Sequence, residues 1–551
     1  MRSVGLPSTG ADRTVLAVMV RLRQIALLIL AAWPATVVPD VIHVPAQSPS
    51  IQDALDGIGD GDTILVAIGV YSEALIAPPL HFVLKGDVSP DTGEYMRPII
   101  DPTLLHGSDS LGCLYLPESS RPVLEDLMFR NGPEMYPHWD LSVGGILSYG
   151  NSITMRRCIV DSTYRSFYHW RPNGENIVDS LLECVFRQVQ VNGVVQLDHS
   201  IVAQNCDFVS GNAFFLCSAG PGSRITACHF GADSSGSSLV ILGHDVEVSN
   251  CTFGTAAASS GYLITLAQTD ELAEIRDNIF AGNVIRGAVL NVHVRAINAF
   301  LIRGNTFLDI IATQEAGTCI HVERDETPNP SWGGTIQNNQ FSNCFGYVSG
   351  ANAAEADGDI ALLGNHFVET QPDPYRLPTV HITQGDGSIL RRNVFSENGF
   401  ALQSDALMID AELNWWSDSS GPYHATQNPG GLGDTILGEV DFTPWYPDTS
   451  FLDDAHRIHA PLPEHFTLDV YPNPFNSAVR LRLIPNEVMI IRVELFDILG
   501  RHVADIWSGP LAYEKQITFD GGNLSSGVYF VRVWQPIGNR SLALTKLVLL
   551  K

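Results

Sequence analysis

The chain is 551 residues long, with only 17% charged residues but 48 glycines and 32 prolines. This composition favours many short strands joined by turns, and one long β-rich repeat can occupy a chain of this length. The 60 acidic and 32 basic residues give a net charge of -28, which argues against nucleic acid as a partner. The same charge disfavours polyanionic sugars unless a cation bridges them.

The first 38 residues have the pattern of a secretory signal peptide. Arg21 and Arg23 form a basic region, the apolar stretch 25–33 follows, and small residues then offer a cleavage site. We predict a signal peptide over residues 1–38, with Met19 as an alternative start of translation. The apolar stretch is too short to span a membrane. No other stretch reaches about 18 uninterrupted apolar residues, so we expect a mature chain without a transmembrane span.

Residues 42–73 combine a short amphipathic helix with a strand. The helix is predicted around Ile51 to Ile58, and the turn Asp60-Gly61-Asp62 leads into a strand from Thr63 to Ala67. This segment resembles the N-terminal cap of secreted right-handed β-helix proteins, which implies that the helix plugs the open end of a solenoid. Such a plug is needed because an uncovered end presents unpaired strand edges.

A short phrase recurs between Glu125 and Trp416: an anchor Cys or Asn, one variable residue, then an apolar residue that is usually Phe. The anchors, spaced 22 to 34 residues apart, are Cys158, Cys184, Cys206, Cys228, Cys251, Asn278, Asn305, Asn339, Asn365 and Asn393. Leu127 and Asn414 begin similar phrases before and after this series. A period of this length, with strand patterns and no helical pattern, predicts a stacked solenoid.

We therefore predict an all-β fold over residues 39–447: a single-stranded right-handed parallel β-helix of about eleven or twelve coils. It resembles the pectate-lyase-like and NosD-like repeat proteins. Coils then stack about 4.8 Å apart, so equivalent residues form columns along the interior. In an Asn column each amide donates to one neighbouring coil and accepts from the other. This avoids the cost of about 1–3 kcal/mol for an unsatisfied buried amide.

The anchor cysteines are predicted to be buried free thiols. In a column their Cβ atoms run parallel about 4.8 Å apart, beyond the mean of about 3.8 Å that a disulfide needs. Metal binding is the alternative, but ligands converge on one point and a column does not. Cys113, Cys217, Cys319 and Cys344 lie outside the column, and their pairing stays open.

The solenoid is predicted to close between Asn414 and Trp445. This segment, which begins Asn-Trp-Trp and ends Pro-Trp, resembles the closing segment of NosD-like β-helix proteins. Trp415, Trp416 and Trp445 are predicted to form an aromatic lid on the last coil. Residues 448–464 then form a linker.

Residues 465–551 are predicted to form a small β-sandwich. The alternating runs from Val479 to Leu483 and from Val528 to Trp534 indicate half-buried strands. The segment contains YPNPFN, LFDILGR, GVYFVR and TKLVLLK in this order, and it resembles the type A C-terminal sorting domain of the bacterial type IX secretion system. The resemblance implies interaction with that machinery. It also implies a secreted protein, or one anchored at the outer-membrane cell surface.

Two groups of residues are candidates for a binding site in the solenoid. Flat aromatic rings beside polar groups suit a sugar ring, and two loops of successive coils supply Tyr136, Trp139, Tyr164, His169, Trp170 and Arg171. The alternative is that these rings pack against the solenoid wall. The second group is acidic, where Asp325, Asp357 and Asp359 lie in loops about one coil apart and are candidates for a Ca²⁺ site. The alternative is a solvated acidic surface, and no other cofactor is predicted.

No motif in the chain specifies a reaction. The paired-carboxylate phrases of inverting polygalacturonases and the epimerase phrase are absent, as are the serine elbow, HExxH and the phosphate loop. The sequence therefore identifies no catalytic residue, and whether the protein is an enzyme stays open. The hypothesis is an exported, non-catalytic binding or structural solenoid whose ligand is an extracellular glycan. The alternative is a polysaccharide lyase or a glycoside hydrolase.

Overall fold

The computed structural model describes most of the chain from residue 39 onward, so the predicted signal peptide lies outside it. The described ranges are 39–88, 96–104, 112–132, 144–149, 152–163, 166–169, 177–187, 194–209, 215–219, 222–231, 239–242, 245–254, 263–269, 273–285, 288–294, 300–312, 318–324, 334–346, 354–357, 360–370, 378–384, 387–406, 409–454, 466–485, 489–498, 500–511, 515–522, 524–535 and 540–551.

Three long parallel sheets, here called A, B and C, wind around one apolar core as a right-handed parallel β-helix. Sheet A consists of Val41–Val44, Thr63–Val66, His81–Gly86, Arg121–Glu125, Thr154–Arg156, Val178–Leu182, the end of Val194–Gln204, Arg224–Thr226, Val246–Ser249, Ala273–Arg276, Phe300–Arg303, Gly334–Gln337, Ile360–Leu363, Ile389–Arg391, Ile409–Asp410 and Val440–Asp441. Sheet B consists of Val70–Tyr71, Ile99–Ile100, Met128–Arg130, Ile159–Asp161, Val185–Arg187, Asp207–Val209, His229–Gly231, Thr252–Phe253, Ile279–Ala281, Thr306–Leu308, Gln340–Ser342, His366–Val368, Val394–Ser396 and Trp415–Trp416. Sheet C consists of Leu75–Ile76, Leu114–Leu116, Ile146–Ser148, Phe167–His169, the start of Val194–Gln204, Phe215–Ala219, Leu239–Leu242, Ile264–Thr269, Ala288–Val294, Thr318–Arg324, Ala354–Asp357, Val380–Gln384, Phe400–Ser404, Pro422–Tyr423 and Gly433–Leu437.

Smaller elements complete the described solenoid. They are the helices Ile51–Gly57 and Ser450–Asp454, the 3-10 helix Pro102–Leu104, and a short parallel sheet of Val284–Ile285, Ile311–Ala312 and Phe345–Gly346. Sheet B alone has 14 strands, so the expectation of eleven or twelve coils was too low. The count missed the coils that supply Val70–Tyr71 and Ile99–Ile100, because neither strand contains the anchor phrase.

The helix Ile51–Gly57 begins and packs as an end cap should. The side chain of Ser50 accepts a hydrogen bond from the N–H of Asp53, which satisfies one of the free donors of the first turn. Ile51, Ala54 and Leu55 are buried and belong to the same apolar cluster as the solenoid interior. The helix thus covers the apolar end of the first coils.

The interior of sheet A is a continuous column of aliphatic side chains. Strand pairing places one such residue of each coil directly beside the next, and its members include Ile64, Leu84, Leu124, Met155, Leu181, Ala203, Ile225, Val248, Ile275, Ile302, Ile336, Leu362 and Leu390. All of them are fully buried. A substitution here therefore removes contacts with both neighbouring coils.

The turn from sheet A to sheet B is the site of the Asn ladder. The residue before each anchor has a positive φ, for example 57° at Asp277 and 52° at Asn338. The backbone N–H of Asn305 then donates to Oδ1 of Asn339 at 2.9 Å, and its side-chain amide donates to the same oxygen. This bonding pattern links Asn278, Asn305, Asn339, Asn365, Asn393 and Asn414 into one chain.

The anchor cysteines make weaker versions of the same contacts. The amide of Asn305 donates to the carbonyl of Ile275 at 2.9 Å, and the thiol of Cys206 reaches the equivalent carbonyl of Leu181 at 3.2 Å. The thiol of Cys251 accepts from the N–H of Cys228 at 3.4 Å. A thiol is a weak donor and a weak acceptor, so the Cys coils retain the ladder geometry with less hydrogen-bond energy.

A stack of aromatic rings follows the ladder along sheet B. Ring centroids of successive coils lie 4.7 to 5.1 Å apart from Phe186 through to Trp416. The interplanar angles between these rings are 16° or less. Trp416 is buried against Phe395 at the end of the stack. Trp445 is half-buried, and its Nε1 donates to the carbonyl of Ser419 at 3.1 Å.

The C-terminal β-sandwich has two antiparallel sheets and a core of its own. One sheet consists of Thr467–Tyr471, Ala478–Ile484 and Lys515–Asp520, and the other of His502–Leu511, Met489–Asp497, Gly527–Gln535 and Arg540–Leu549. Its buried cluster includes Val479, Leu481, Val531 and Leu547, and it is separate from the cluster of the solenoid.

We expect Asn339→Leu to lower the free energy of unfolding by about 2–4 kcal/mol. The substitution removes the acceptor for two donors of Asn305 and a donor to Asn365. Urea denaturation followed by circular dichroism measures the change. Gln340→Leu is the matched control, because it removes an amide from the exposed next residue. Equal urea midpoints for the two variants would contradict a stabilising ladder.

We expect thiol titration of the denatured, unreduced protein to detect at least five free cysteines, and the native protein to react slowly. Every cysteine whose side chain the structure describes is free and buried. Burial, with hydrogen bonds to Cys158 and Cys206, raises the pKa of Cys184 well above its usual value, and the thiolate is the reactive form. Detection of a single thiol after denaturation would mean that the column is oxidised.

Candidate functional site

The outer face of sheet A is occupied by ion pairs between neighbouring coils. Its arginines contact carboxylates at short distances, for example Arg303 with Glu274 at 2.7 Å and Arg391 with Asp410 at 2.6 Å. Arg156 bonds Glu125 in the same way at 3.2 Å. Exposed pairs of this kind contribute only about 0–1 kcal/mol each. Because these arginines are already paired with carboxylates of the protein, the outer face of sheet A is a poor candidate for a ligand-binding face.

The outer face of sheet C contains a cluster of tyrosines near the N-terminal end. Strand pairing aligns Tyr115, Leu147 and Tyr168 in three successive coils, and their buried neighbours in each strand point inward. Tyr149 follows the middle strand, and its ring centroid lies 6.1 Å from that of Tyr115. All three tyrosines are half-buried. The cluster thus presents rings and hydroxyl groups together.

The titration of Tyr149 reflects this clustering. Partial burial raises the pKa of its hydroxyl group, and the nearby hydroxyl groups of Tyr168 and Tyr115 raise it further. The hydroxyl group of Tyr149 therefore stays protonated at physiological pH, where it can donate and accept hydrogen bonds.

In its C-terminal half, the same register column of sheet C consists of polar residues, of which Asn291 is buried. Strand pairing aligns Thr265, Asn291, His321, Glu355, His381 and Gln403 in successive coils. Nε2 of His381 lies 2.8 Å from Oδ2 of Asp405. The amide of Gln403 donates to Oδ1 of the same carboxylate at 2.9 Å. The hydrogen bond from Gln403 lowers the pKa of Asp405, and the contact with His381 adds to this lowering.

Most of the predicted aromatic site lies outside the described residues, namely Tyr136, Trp139, Tyr164, Trp170 and Arg171. In the chain these residues flank the strands Ile146–Ser148 and Phe167–His169 of sheet C. Tyr149 of the tyrosine cluster follows the first of these strands, and Tyr168 belongs to the second.

His169 was wrongly assigned to this aromatic face. It is fully buried, because it alternates with the outward Tyr168 and therefore lies on the inner side of the strand. An aromatic sugar site at these coils would have to be built without it.

The predicted acidic site is described only in part. Asp325 and Asp359 lie outside the described residues, and Asp357 is described only as the last residue of the strand Ala354–Asp357. That strand pairs with Thr318–Arg324 of the preceding coil, with His321 opposite Glu355. The strands that precede the two acidic loops thus belong to neighbouring coils of sheet C, and the Ca²⁺ site itself stays a prediction.

A compact group of His169, Asp179 and His199 lies inside the solenoid, where sheet C turns into sheet A. Nδ1 of His169 is 2.8 Å from Oδ2 of Asp179 and 3.1 Å from Nε2 of His199, which in turn is 3.4 Å from Oδ2. The exposed fraction of the side chain is 0% for His169, 0% for Asp179 and 3% for His199. The other carboxylate oxygen, Oδ1, accepts from the N–H of Ile153 at 2.9 Å.

The electrostatics of this group favour an ionised carboxylate. Burial by itself raises the pKa of Asp179, but the charges and hydrogen bonds of His169 and His199 outweigh it and lower the pKa below its ordinary value. An anion held among two imidazoles in the apolar interior is the arrangement expected when a proton or a metal cation is shared.

The sequence itself indicates that one member of this group, His169, is buried, although the sequence analysis assigned it to the aromatic face. In the strand Phe167–His169 the buried positions alternate, so a histidine two residues after a buried phenylalanine must face the core. Strand alternation does not predict that His199 lies beside His169 and Asp179. His199 lies where a register shift between Gln196 and His199 interrupts the pairing of its strand.

A second titratable group occurs in the sandwich, formed by Glu494, His502 and Asp505. There the carboxylate of Glu494 is already paired with Arg532, because Oε2 of Glu494 lies 2.6 Å from Nη2 of Arg532. His502 and Asp505 are largely exposed. This group is a surface ion-pair cluster.

The four phrases of the sandwich come together in the structure. The amide of Asn473 donates to the carbonyl of Lys546, and its Oδ1 accepts from the N–H of Val548 at 2.9 Å. Phe475 is buried and bonds the backbone of the same terminal strand. The YPNPFN turn thus holds the TKLVLLK strand in place. Asp497 similarly closes the LFDILGR turn by accepting from Arg501.

Residues 469–547 match the secretion system C-terminal sorting domain, and the matched segment lies within the sandwich. The domain is of the type IX class, which implies interaction with the type IX secretion machinery. The protein is therefore either secreted or attached at the outer-membrane surface. Among the described helices, none is long and apolar enough to cross a membrane.

The solenoid is similar to solved structures only at a low level. A mutant tailspike protein of E. coli bacteriophage HK620 in complex with a pentasaccharide has 10% identity and a TM-score of 0.29, over 83% of this chain and 86% of the other. ORF18 of Geobacillus virus E2 has 10% identity and a TM-score of 0.24, over 90% and 72%. Similarity this low does not extend to ligand or activity. No curated protein matches the sequence.

We expect deletion of residues 465–551 to leave the solenoid folded but retained in the periplasm, because the two units have separate cores and the deleted unit contains the sorting domain. Cell fractionation and surface labelling in a host with type IX secretion measure the location. The full chain with the same internal tag is the control. Surface delivery of the truncated chain would contradict this assignment.

Proposed function

We propose that the protein is an exported, non-catalytic solenoid that binds extracellular polysaccharide along the outer face of sheet C. The observation that carries the proposal is the cluster of Tyr115, Tyr149 and Tyr168 on three successive coils. A pyranose ring has apolar faces that stack on such rings and hydroxyl groups that bond to phenols and nearby polar side chains.

The periodicity of the solenoid supports a polymeric ligand. Coils repeat at the ring spacing of the Phe stack, 4.7 to 5.1 Å, so an extended chain lying along the axis meets equivalent positions coil after coil. In the register of sheet C, Val195, Leu216 and Val240 follow Tyr168, and the polar residues from Thr265 to Gln403 come after them. A neutral or weakly charged glycan suits this face better than a polyanion, because the net charge of the chain is -28.

The second candidate is a polysaccharide lyase or a glycoside hydrolase. It is favoured by the alignment of His321, Glu355 and His381 on adjacent coils of sheet C, near the carboxylate of Asp405. Histidine and carboxylate side chains are the usual general acids and bases. A bound Ca²⁺ at Asp325, Asp357 and Asp359 belongs to this candidate as well, since lyases of this shape use one.

Two experiments on the mature chain, each with and without calcium, distinguish these functions. A glycan array measures binding, and assays for new reducing ends and unsaturated products measure cleavage. We expect binding without new chain ends. Tyr115→Ala and Tyr168→Ala should each weaken the affinity about five- to fifty-fold, which corresponds to about 1–2 kcal/mol for the loss of one stacked ring. Tyr471→Ala is the control, because Tyr471 is an exposed tyrosine of the C-terminal sandwich and does not belong to sheet C.

The outcomes distinguish the candidates. New chain ends that disappear in His381→Gln would make the protein an enzyme and replace the binding proposal. Binding that is equally strong in Tyr115→Ala, Tyr168→Ala and Tyr471→Ala would contradict the tyrosine face. Failure to bind any glycan on a broad array would contradict the glycan ligand and leave a structural role.

A further inference from the structure

We propose that His169, Asp179 and His199 bind a divalent transition metal ion of the zinc type inside the solenoid. The proposal is independent of the glycan-binding function and rests on three observations. They are the polar interruption of an apolar interior, the mutual distances of the three ligand atoms, and the orientation of the carboxylate.

The group occupies a part of the core that is apolar in coils farther along the solenoid. In the strand register of sheet C, His169 is aligned with Ser148 of the preceding coil and Gln196 of the next. Ser148 is itself aligned with the buried Leu116. Later coils use Leu266, Val292 and Val322 at the inward positions. Placing an anion and two imidazoles in such a core is costly unless a strong interaction compensates.

The three ligand atoms are spaced as the corners of one small coordination sphere. Their separations are 2.8, 3.1 and 3.4 Å. Three ligands at zinc bond lengths of about 2.0–2.2 Å with tetrahedral angles lie about 3.3 Å apart. The atoms of His169 and His199 therefore need to shift by only a few tenths of an ångström to accommodate the ion.

Two imidazole nitrogens at 3.1 Å hold either a proton or a cation between them. When both carry protons, those protons point at the same carboxylate oxygen and repel each other. A metal ion accepts a lone pair from each nitrogen and from Oδ2 at once, and it neutralises the carboxylate of Asp179. The donor set of two imidazoles and one carboxylate matches the preference of Zn²⁺.

The carboxylate is already oriented for this role. Oδ1 of Asp179 is held by the N–H of Ile153, which leaves Oδ2 directed at the two imidazoles. The ligands come from strands that pair with one another, Phe167–His169 and Val178–Leu182 each with Val194–Gln204. A bound ion therefore joins sheets A and C of successive coils. Its binding free energy would contribute directly to the stability of the solenoid.

The test uses the full mature chain expressed in zinc-supplemented medium and purified without chelators. Mass spectrometry of the metal content should give about one equivalent of zinc per chain, and cobalt substitution should give the visible absorption bands of a tetrahedral Co²⁺ site. His199→Gln keeps a polar side chain but removes an imidazole, and Asp179→Asn keeps the size of the carboxylate. Both should lose the bound metal.

His229→Gln is the matched control, because His229 is an exposed histidine on the outer side of sheet B. This variant should retain the metal. Circular dichroism and the thermal midpoint of each variant, with and without added zinc, distinguish loss of the ion from loss of the fold. Zinc should raise the midpoint of the metal-free wild-type chain and leave that of His199→Gln unchanged.

Two results would overturn the proposal. The first is a wild-type chain that contains less than about a tenth of an equivalent of metal and shows no change in midpoint with zinc or cobalt. The group would then be held together by hydrogen bonds alone. The second is a full equivalent of metal retained by folded His199→Gln and Asp179→Asn, which would place the ion elsewhere.

Discussion

The structure depends on satisfying backbone groups at the turn between sheets A and B, because this turn repeats in every coil. A residue with positive φ precedes each anchor, and it turns the anchor N–H along the solenoid axis toward the next coil. That N–H is buried and needs an acceptor. In the C-terminal coils the acceptor is the amide oxygen of the next Asn, as between Asn305 and Asn339. The stacked Phe rings and the aliphatic column of sheet A then follow the register that the ladder sets.

The two kinds of anchor divide the solenoid into two regions with different bonding. Asn coils are joined by hydrogen bonds of 2.8 to 3.1 Å to amide oxygens, whereas the Cys coils have thiol contacts of 3.2 to 3.6 Å. The tyrosine cluster and the group of His169, Asp179 and His199 both lie among the coils with weaker ladders. A metal ion in those coils would compensate for the weaker bonds. The proposed metal site would then offset the stability that the Cys coils lose by lacking the Asn ladder.

The proposed binding face and the proposed metal site use opposite sides of the same strands. Along Phe167–His169 the outward Tyr168 belongs to the tyrosine cluster, and His169 belongs to the interior group. A cation that fixes His169 also fixes the backbone that positions Tyr168. Rigid aromatic side chains lose little conformational entropy on binding, so the interior site would support the exterior one without contacting the ligand.

The amino-acid sequence alone determined the solenoid, the anchor column and the C-terminal sandwich, because each is a local pattern that repeats or that resembles a known domain. A strand reveals its inward residues by alternation, and the aromatic residue that recurs from Phe186 to Trp416 marks one column. Only the tertiary structure decided which outward residues share a face and which polar residues meet inside. Coil lengths vary from 22 to 34 residues, so the alignment of Tyr115 with Tyr168, or of His321 with Glu355, depends on strand register. The meeting of His199 with His169 depends further on an irregular strand at a corner of the solenoid, where no periodic pattern applies.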